Sequence, residues 1–149
     1  RTMARIIGRA ETHRGERLGE RRRRRTRSTR IATTGYAACQ AADMIGASAL
    51  VSLTQSGSSA RALARYRPEI PIFAVTADEP TCNQLALVWG VTPLRTDVLG
   101  DTFEGAVERL LGWLTEQCGL RTGSAVVFTA GLPFEARCAT NTIRLETIP

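Results

Sequence analysis

Four short apolar segments, separated by segments with helical spacing, restrict the possible folds of this chain more than any other feature of its sequence. They lie at residues 49–53, 71–75, 91–94 and 124–130. Each contains β-branched residues and is too short to be a buried helix. Strands that alternate with helices along a chain form a mostly parallel sheet with helices on both faces. The sequence therefore predicts a three-layer α/β/α fold.

A fifth strand completes the predicted sheet. Residues 142–146 alternate between polar and apolar side chains, which is typical of a half-exposed strand. The connection from the fourth segment is too short for a helical crossover, so the fifth strand should run antiparallel to the fourth. The third strand contains Pro93, which has no N–H to donate, and should lie at a sheet edge. We therefore expect five strands, mostly parallel, with the last strand antiparallel.

Capping residues predict where the helices begin and end. Thr33 or Thr34 should cap a helix that ends at Gly46. Asp78 precedes an acidic residue and a proline, as at many helix starts, and its helix should continue to Gly90. The apolar residues that this helix should bury are Cys82, Leu85, Ala86 and Trp89. A capping-box pattern at residues 101–104 opens a long amphipathic helix.

Between the first strand and the helix after it lies a turn rich in hydroxyl groups, here called the serine loop. Helix N-termini present free backbone N–H groups and the positive end of the helix dipole, which favour an anion. The same residue types also serve as an ordinary helix cap and turn. The loop matches neither a P-loop nor the dinucleotide-binding glycine pattern, so the residues alone leave both interpretations open. Its members are Thr54, Gln55, Ser56, Gly57, Ser58 and Ser59.

The positive charge of the chain is confined to its N-terminal part. All twenty basic residues are arginines. Residues 1–30 contain twelve arginines and three glutamates, a net charge of +9, whereas residues 31–149 contain eight arginines and eleven acids, a net charge of −3. Five consecutive arginines at 21–25 suggest either a nucleic-acid contact or a solvated linker. No aromatic residue interleaves with them, which disfavours nucleic acid as a partner.

Cysteine and histidine usage argues against a metal site. The four cysteines are scattered without a C-x-x-C pair, and His13 is the only histidine. Reduced, buried thiols are typical of a cytoplasmic protein. No apolar run approaches the length of a membrane span. Because the sequence begins at Arg1 without an initiator Met, we expect it to be a piece of a longer protein.

Several segments, in the same order along the chain, resemble the C-terminal domain of bacterial-type pyruvate kinase. They read IGASALV at 45–51, LTQSGSSAR at 53–61, ARYRP at 64–68, PIFAVT at 71–76, QLALVWGVTP at 84–93 and TNT at 140–142. The opening residues 1–6 and 10–11 resemble the last helix of the catalytic barrel of that enzyme. The resemblance implies two parts: residues 1–30, the end of the barrel helix with an arginine-rich linker, and residues 31–149, the C-terminal α/β domain.

For the serine loop, the resemblance implies a regulatory role, in which the loop cradles the phosphate of an allosteric effector. The predicted donors are the N–H groups of Gly57, Ser58 and Ser59 and the hydroxyls of Thr54, Ser56 and Ser59. The loop lacks the basic residue of relatives that bind a sugar bisphosphate, and Glu135 would repel a phosphate. A monophosphate effector, or no effector at all, is therefore favoured over a bisphosphate. The second half of the effector site should lie on the loop before the last strand, at Gly131, Arg137, Thr140 and Asn141, with Arg137 as a guanidinium clamp.

The resemblance further implies that this chain holds no catalytic or metal-binding residues, because these lie on the barrel. The isolated chain should then be inactive, and the Mg²⁺ and potassium ions of the intact enzyme would bind elsewhere. Its expected partners are a phosphorylated effector, its own barrel, and a second copy paired through strand 142–146. One alternative is a free-standing sugar-phosphate or nucleotide sensor. Another is a nucleic-acid binder that uses the arginine run.

Overall fold

The computed structural model describes residues 29–96, 102–133 and 138–149, together with Arg5. Four sequence predictions lie outside these residues: the barrel helix at residues 1–11 apart from Arg5, the arginine run at 21–25, the repulsion of phosphate by Glu135, and the clamp residue Arg137. All structural statements below concern the described residues.

Helices and strands alternate as predicted and form one five-stranded sheet. The strands lie in the order β3-β2-β1-β4-β5, with β1, β2, β3 and β4 parallel and β5 antiparallel to β4. The predicted fold class is therefore confirmed, including the antiparallel last strand and the edge position of β3. In chain order, the elements are α1 (Arg30–Met44), β1 (Ala49–Leu53), α2 (Ser58–Ala64), β2 (Ile72–Thr76), α3 (Glu79–Leu85), β3 (Val91–Arg95), α4 (Phe103–Cys118), β4 (Ala125–Ala130) and β5 (Thr142–Thr147).

The two faces of the sheet are covered unequally. Helix α4 alone packs on one face, where its stripe of Phe103, Val107, Leu110 and Leu114 meets the inward side chains of the strands. Helices α1, α2 and α3 cover the other face. The central strands β1 and β2 are buried along their whole length, as expected for parallel strands between helical layers.

Helix α1 begins earlier than predicted. Its N-cap is Thr29, whose hydroxyl accepts from the Ala32 N–H at 3.3 Å. The predicted caps, Thr33 and Thr34, lie inside the helix, where their hydroxyls donate to the carbonyls of Thr29 and Arg30 at 3.2 and 3.0 Å. A threonine inside a helix can satisfy its hydroxyl in this way. Because Thr29, Thr33 and Thr34 lie close together, the sequence pattern allowed more than one start for α1.

Helix α3 ends sooner than predicted. It begins as expected at Asp78 but stops at Leu85, and the chain then turns through Gly90, at φ 69°, into β3. Of the four residues expected to be buried, only Leu85 is. Ala86 and Trp89 are exposed, and the Arg67 guanidinium lies 4.8 Å from the Trp89 ring centre. The sequence predicted a longer helix because apolar residues in the turn after Leu85 continue the helical spacing.

Two further expectations concern the chemistry of the whole chain. All four cysteines lie in the described residues and form no disulfide. The expectation that they are buried holds for Cys39 alone, because Cys82 and Cys118 are half-buried and Cys138 is exposed. Within the same residues, no helix has the length and apolar character needed to cross a bilayer.

Candidate functional site

The serine loop joins the buried strand β1 to helix α2 at the carboxyl ends of the parallel strands. The Thr54 N–H donates to the carbonyl of Val75 at 2.9 Å, which ties the loop to the neighbouring strand. Gly57 has a φ of 75°, in the left-handed region that favours glycine, and forms the N-cap of α2. The loop is therefore held by the sheet on one side and turned sharply into the helix on the other.

Hydrogen bonds within the loop use some of its predicted phosphate donors. The Gly57 N–H donates to the Thr54 hydroxyl at 3.0 Å, and the Ser56 hydroxyl donates to that of Ser58 at 3.1 Å. The first backbone hydrogen bond of α2 runs from the Arg61 N–H to the Gly57 carbonyl at 3.0 Å. The Gly57 N–H is thus already occupied, contrary to the donor set expected from the sequence.

The next three residues of the chain differ in exposure, since Ser58 is exposed, Ser59 is only 6% exposed and Ala60 is fully buried. No atom of the described residues accepts a hydrogen bond from the N–H of Ser58, Ser59 or Ala60. These three groups open the helix, where the positive end of its dipole lies. The available backbone donors are therefore shifted by one residue from those expected. Gln55, another predicted site residue, is exposed beside them.

Arg61 supplies a cation that the sequence interpretation missed. One nitrogen of its guanidinium donates to the Ser56 carbonyl at 3.0 Å and another to the Gln84 side-chain oxygen at 3.0 Å. The six residues of the loop itself carry no charge, so their composition alone does not indicate a cation. A helical side chain lies over the turn N-terminal to it, so the position of Arg61, four residues after Gly57, could have indicated this contact.

Thr140 joins the serine loop to the loop before β5. Its hydroxyl forms a hydrogen bond with that of Ser59, and both residues are buried. Its carbonyl accepts from the Thr34 hydroxyl at 3.3 Å, which connects the same point to α1. The structure therefore brings together Ser59 and Thr140, two predicted site residues far apart in sequence.

Asn141 and Gly131 shape the backbone of this second loop. The Asn141 amide accepts from the Leu132 N–H at 2.9 Å and donates to the Leu132 carbonyl at 2.7 Å. A Cβ at Gly131 would overlap the carbonyl oxygen of Cys138, so only glycine permits this close approach of the two loop ends. Both residues thus hold the loop before β5 in its conformation.

Side chains that could bind a metal ion are not grouped together in the described part of the chain. The described residues contain no group of three or more histidine, cysteine, aspartate or glutamate side chains that could hold one.

Comparison with known proteins gives the family of the chain. Residues 32–146 match the family model described as pyruvate kinase, alpha/beta domain. The chain belongs to the pyruvate kinase family. The resemblance of its sequence to the C-terminal domain of that family is thereby confirmed.

Curated pyruvate kinases show the same relationship over part of their length. The enzyme of Clostridium acetobutylicum is 36% identical over 110 residues, which cover 74% of this chain and 23% of that protein. The enzyme of Agrobacterium vitis is 34% identical over 149 residues, which cover 96% of this chain and 30% of that protein. The chain thus spans between 23% and 30% of the length of these two relatives.

A solved structure supports the fold. The crystal structure of a pyruvate kinase from Cryptosporidium parvum matches with a TM-score of 0.72 and 21% sequence identity, over 81% of this chain and 23% of that one. At this identity the likeness is one of architecture.

Proposed function

We propose that this chain is the regulatory and oligomerisation domain of a pyruvate kinase and that it binds a phosphorylated effector at the serine loop. One observation carries the proposal. The N–H groups of Ser58, Ser59 and Ala60 have no acceptor among the described residues, and the Arg61 guanidinium lies against the same turn. Converging N–H groups, a helix dipole and a guanidinium favour a phosphate group.

The strength of this site follows from its donors. Neutral N–H groups and a short helix contribute a few kcal/mol, which corresponds to a Kd on the order of millimolar to tens of micromolar. Arg61 adds a charge, but two hydrogen bonds already hold its guanidinium to Ser56 and Gln84. We propose a monophosphate as the effector, because Glu135, in the same loop as Arg137, would repel a second phosphate. Arg137 would supply a second cation for this site.

The proposal also covers the catalytic activity, the metal ions and the location of the intact enzyme. The chain spans less than a third of its curated relatives, and we assign the transfer of phosphate from phosphoenolpyruvate to ADP to a catalytic barrel outside the described residues. Mg²⁺ and potassium would bind with that barrel. As part of a glycolytic transferase, the domain would act in the cytoplasm.

Calorimetry on the chain with a carboxylate placed in the loop tests the effector site. Ser59 is unsuitable for this purpose, because it is buried and bonded to Thr140. Ser58 is exposed at the first position of α2, where an acidic residue also favours the helix. Ser58→Glu should therefore remain folded and bind sugar monophosphates or AMP at least about tenfold more weakly than the parent chain, because like charges repel.

Gln117→Glu provides the matched control. This residue is exposed on α4, so the substitution adds the same charge far from the serine loop and should leave binding unchanged. Equal binding by the Ser58→Glu variant and the parent chain would show that the serine loop is only a helix cap. Tighter binding of a sugar bisphosphate than of any monophosphate would contradict the proposed effector class.

A further inference from the structure

A cavity of about 340 Å³ lies on the face of the sheet that α4 covers, beyond the ends of β2 and β3. Its origin is geometric. Five strands about 4.8 Å apart span roughly 20 Å, whereas one helix with its side chains is only about 10–12 Å wide. Since α4 is the only described helix on this face, it leaves the β3 side of the sheet partly uncovered. The serine loop leads into α2 on the opposite face, so the two places are separate.

The floor of the cavity is apolar and partly aromatic. Val75 and Leu94 contribute from neighbouring strands, and Leu110 and Trp113 contribute from α4. The Trp113 ring is held edge-on against Phe73, with 6.2 Å between ring centres. Small-molecule sites usually combine such apolar walls with a few polar groups at the mouth.

The polar residues that line the cavity are Arg95, Thr96 and Arg109. No acidic side chain of the described residues lines the cavity. Arg95 also forms an ion pair with Glu79 at 3.1 Å. Arg95, Arg109 and Glu79 together therefore carry a charge of +1. Both arginines have further interactions within the protein, and a bound anion would compete with these partners.

We propose that this cavity binds a small organic anion with a flat apolar body, such as an arylalkyl carboxylate. The ring would lie on the floor formed by Trp113, Leu110 and Leu94, where burial of an aromatic ring is favourable. Its carboxylate would reach the guanidinium of Arg109 or Arg95, which presents paired donors to such a group. This site is independent of the serine loop, in both position and ligand class.

Nuclear magnetic resonance of the indole N–H groups tests the proposal directly. The chain contains two tryptophans, Trp89 and Trp113, whose signals are distinguished with a Trp89→Phe variant. Phenylacetate should shift the Trp113 signal with a Kd on the order of millimolar. Trp89 lies in the turn after α3, outside the cavity lining, and its signal should stay in place. Phenylacetamide, the neutral counterpart, should bind at least about tenfold more weakly.

Charge-matched variants identify the residues responsible. Arg109→Gln should weaken phenylacetate binding at least about tenfold, whereas Arg121→Gln, which removes an exposed arginine beyond the end of α4, should not. Arg109→Lys keeps the charge without the paired donors, so its affinity for phenylacetate should lie between those of the Arg109→Gln and Arg121→Gln variants. A Trp113 signal that does not respond, or equal shifts by phenylacetate and phenylacetamide, would overturn the proposal. A separate titration with inorganic phosphate would still measure binding at the serine loop, so the two proposals can be tested independently.

Discussion

At the scale of single residues, Gly57 decides whether the serine loop can form. Its φ of 75° favours glycine, and a Cβ there would lie 2.6 Å from a guanidinium nitrogen of Arg61 and 3.1 Å from a methyl carbon of Leu85. Gly57→Ala should therefore lower the free energy of unfolding by about 1–3 kcal/mol, through backbone strain and the displaced arginine. Urea denaturation measures this change.

Gly112 is the control for that substitution. It lies within α4 with no atom within 4 Å of an added Cβ. Gly112→Ala should stabilise the protein by about 0.5–1 kcal/mol, because alanine loses less backbone entropy in a helix. If both substitutions changed the free energy of unfolding in the same direction, the left-handed conformation of Gly57 would not explain the effect of Gly57→Ala.

The residues of the candidate site were only partly predictable. The strand-turn-helix pattern placed the serine loop correctly at a helix start, because hydroxyls and glycine have strong local preferences there. The Ser59–Thr140 hydrogen bond joins residues 81 positions apart in sequence; the family resemblance implied that the two loops share a site, but not this bond. The use of the Gly57 N–H by Thr54 and the fold of Arg61 onto Ser56 depend on side-chain geometry that spacing does not specify.

At the scale of elements, the strands were more predictable than the helix boundaries, since α1 begins at Arg30, before its predicted caps, and α3 ends at Leu85, before Gly90. A capping side chain such as that of Asp78 or Thr102 acts through a local hydrogen bond, at 2.8 and 3.1 Å here, so sequence reveals it. The end of α3 depends on where the chain must turn into the edge strand β3. That requirement belongs to the sheet as a whole, and the apolar spacing up to Trp89 concealed it.

The Asp78 cap should make the stability of the protein depend on pH. Hydrogen bonds from the Thr81 side chain and N–H lower the pKa of the Asp78 carboxyl below its ordinary value. Since the pKa is lower in the folded state, the carboxylate contributes its stability above the unfolded pKa of about 3.9, and this contribution is lost as the pH falls through the folded value. Asp78→Ala should be less stable than the parent chain at neutral pH, and the difference should shrink below about pH 4.

Thermal unfolding across a pH series checks this expectation. Asp78→Asn is the matched variant, because asparagine also caps helices but does not titrate. At neutral pH it should retain more stability than Asp78→Ala. A constant difference between the parent chain and Asp78→Ala at every pH would mean that the carboxylate charge contributes nothing to the cap.

At the scale of the whole molecule, the two edges of the sheet differ in what they can pair with. Edge strand β3 carries Pro93 in its middle, which interrupts its hydrogen-bonding edge. Strand β5 has no proline within its bounds, and among the described strands it is paired only with β4. An edge of this kind can pair with another chain. Of the two edges, β5 is therefore the one suited to assembly.

We expect the chain to form a two-fold dimer in which β5 pairs with β5 of a second copy. Leu145 is 50% exposed on this strand, and a two-fold axis near it would place the two copies of the side chain close together. Leu145→Glu should then weaken the dimer at least about tenfold, because it introduces two carboxylates into one interface. Leu87→Glu is the control, since Leu87 is 90% exposed in the turn before β3. Light scattering over a concentration series gives the mass of each variant. A monomeric parent chain at the highest concentration, or equal weakening by both substitutions, would rule out assembly through β5.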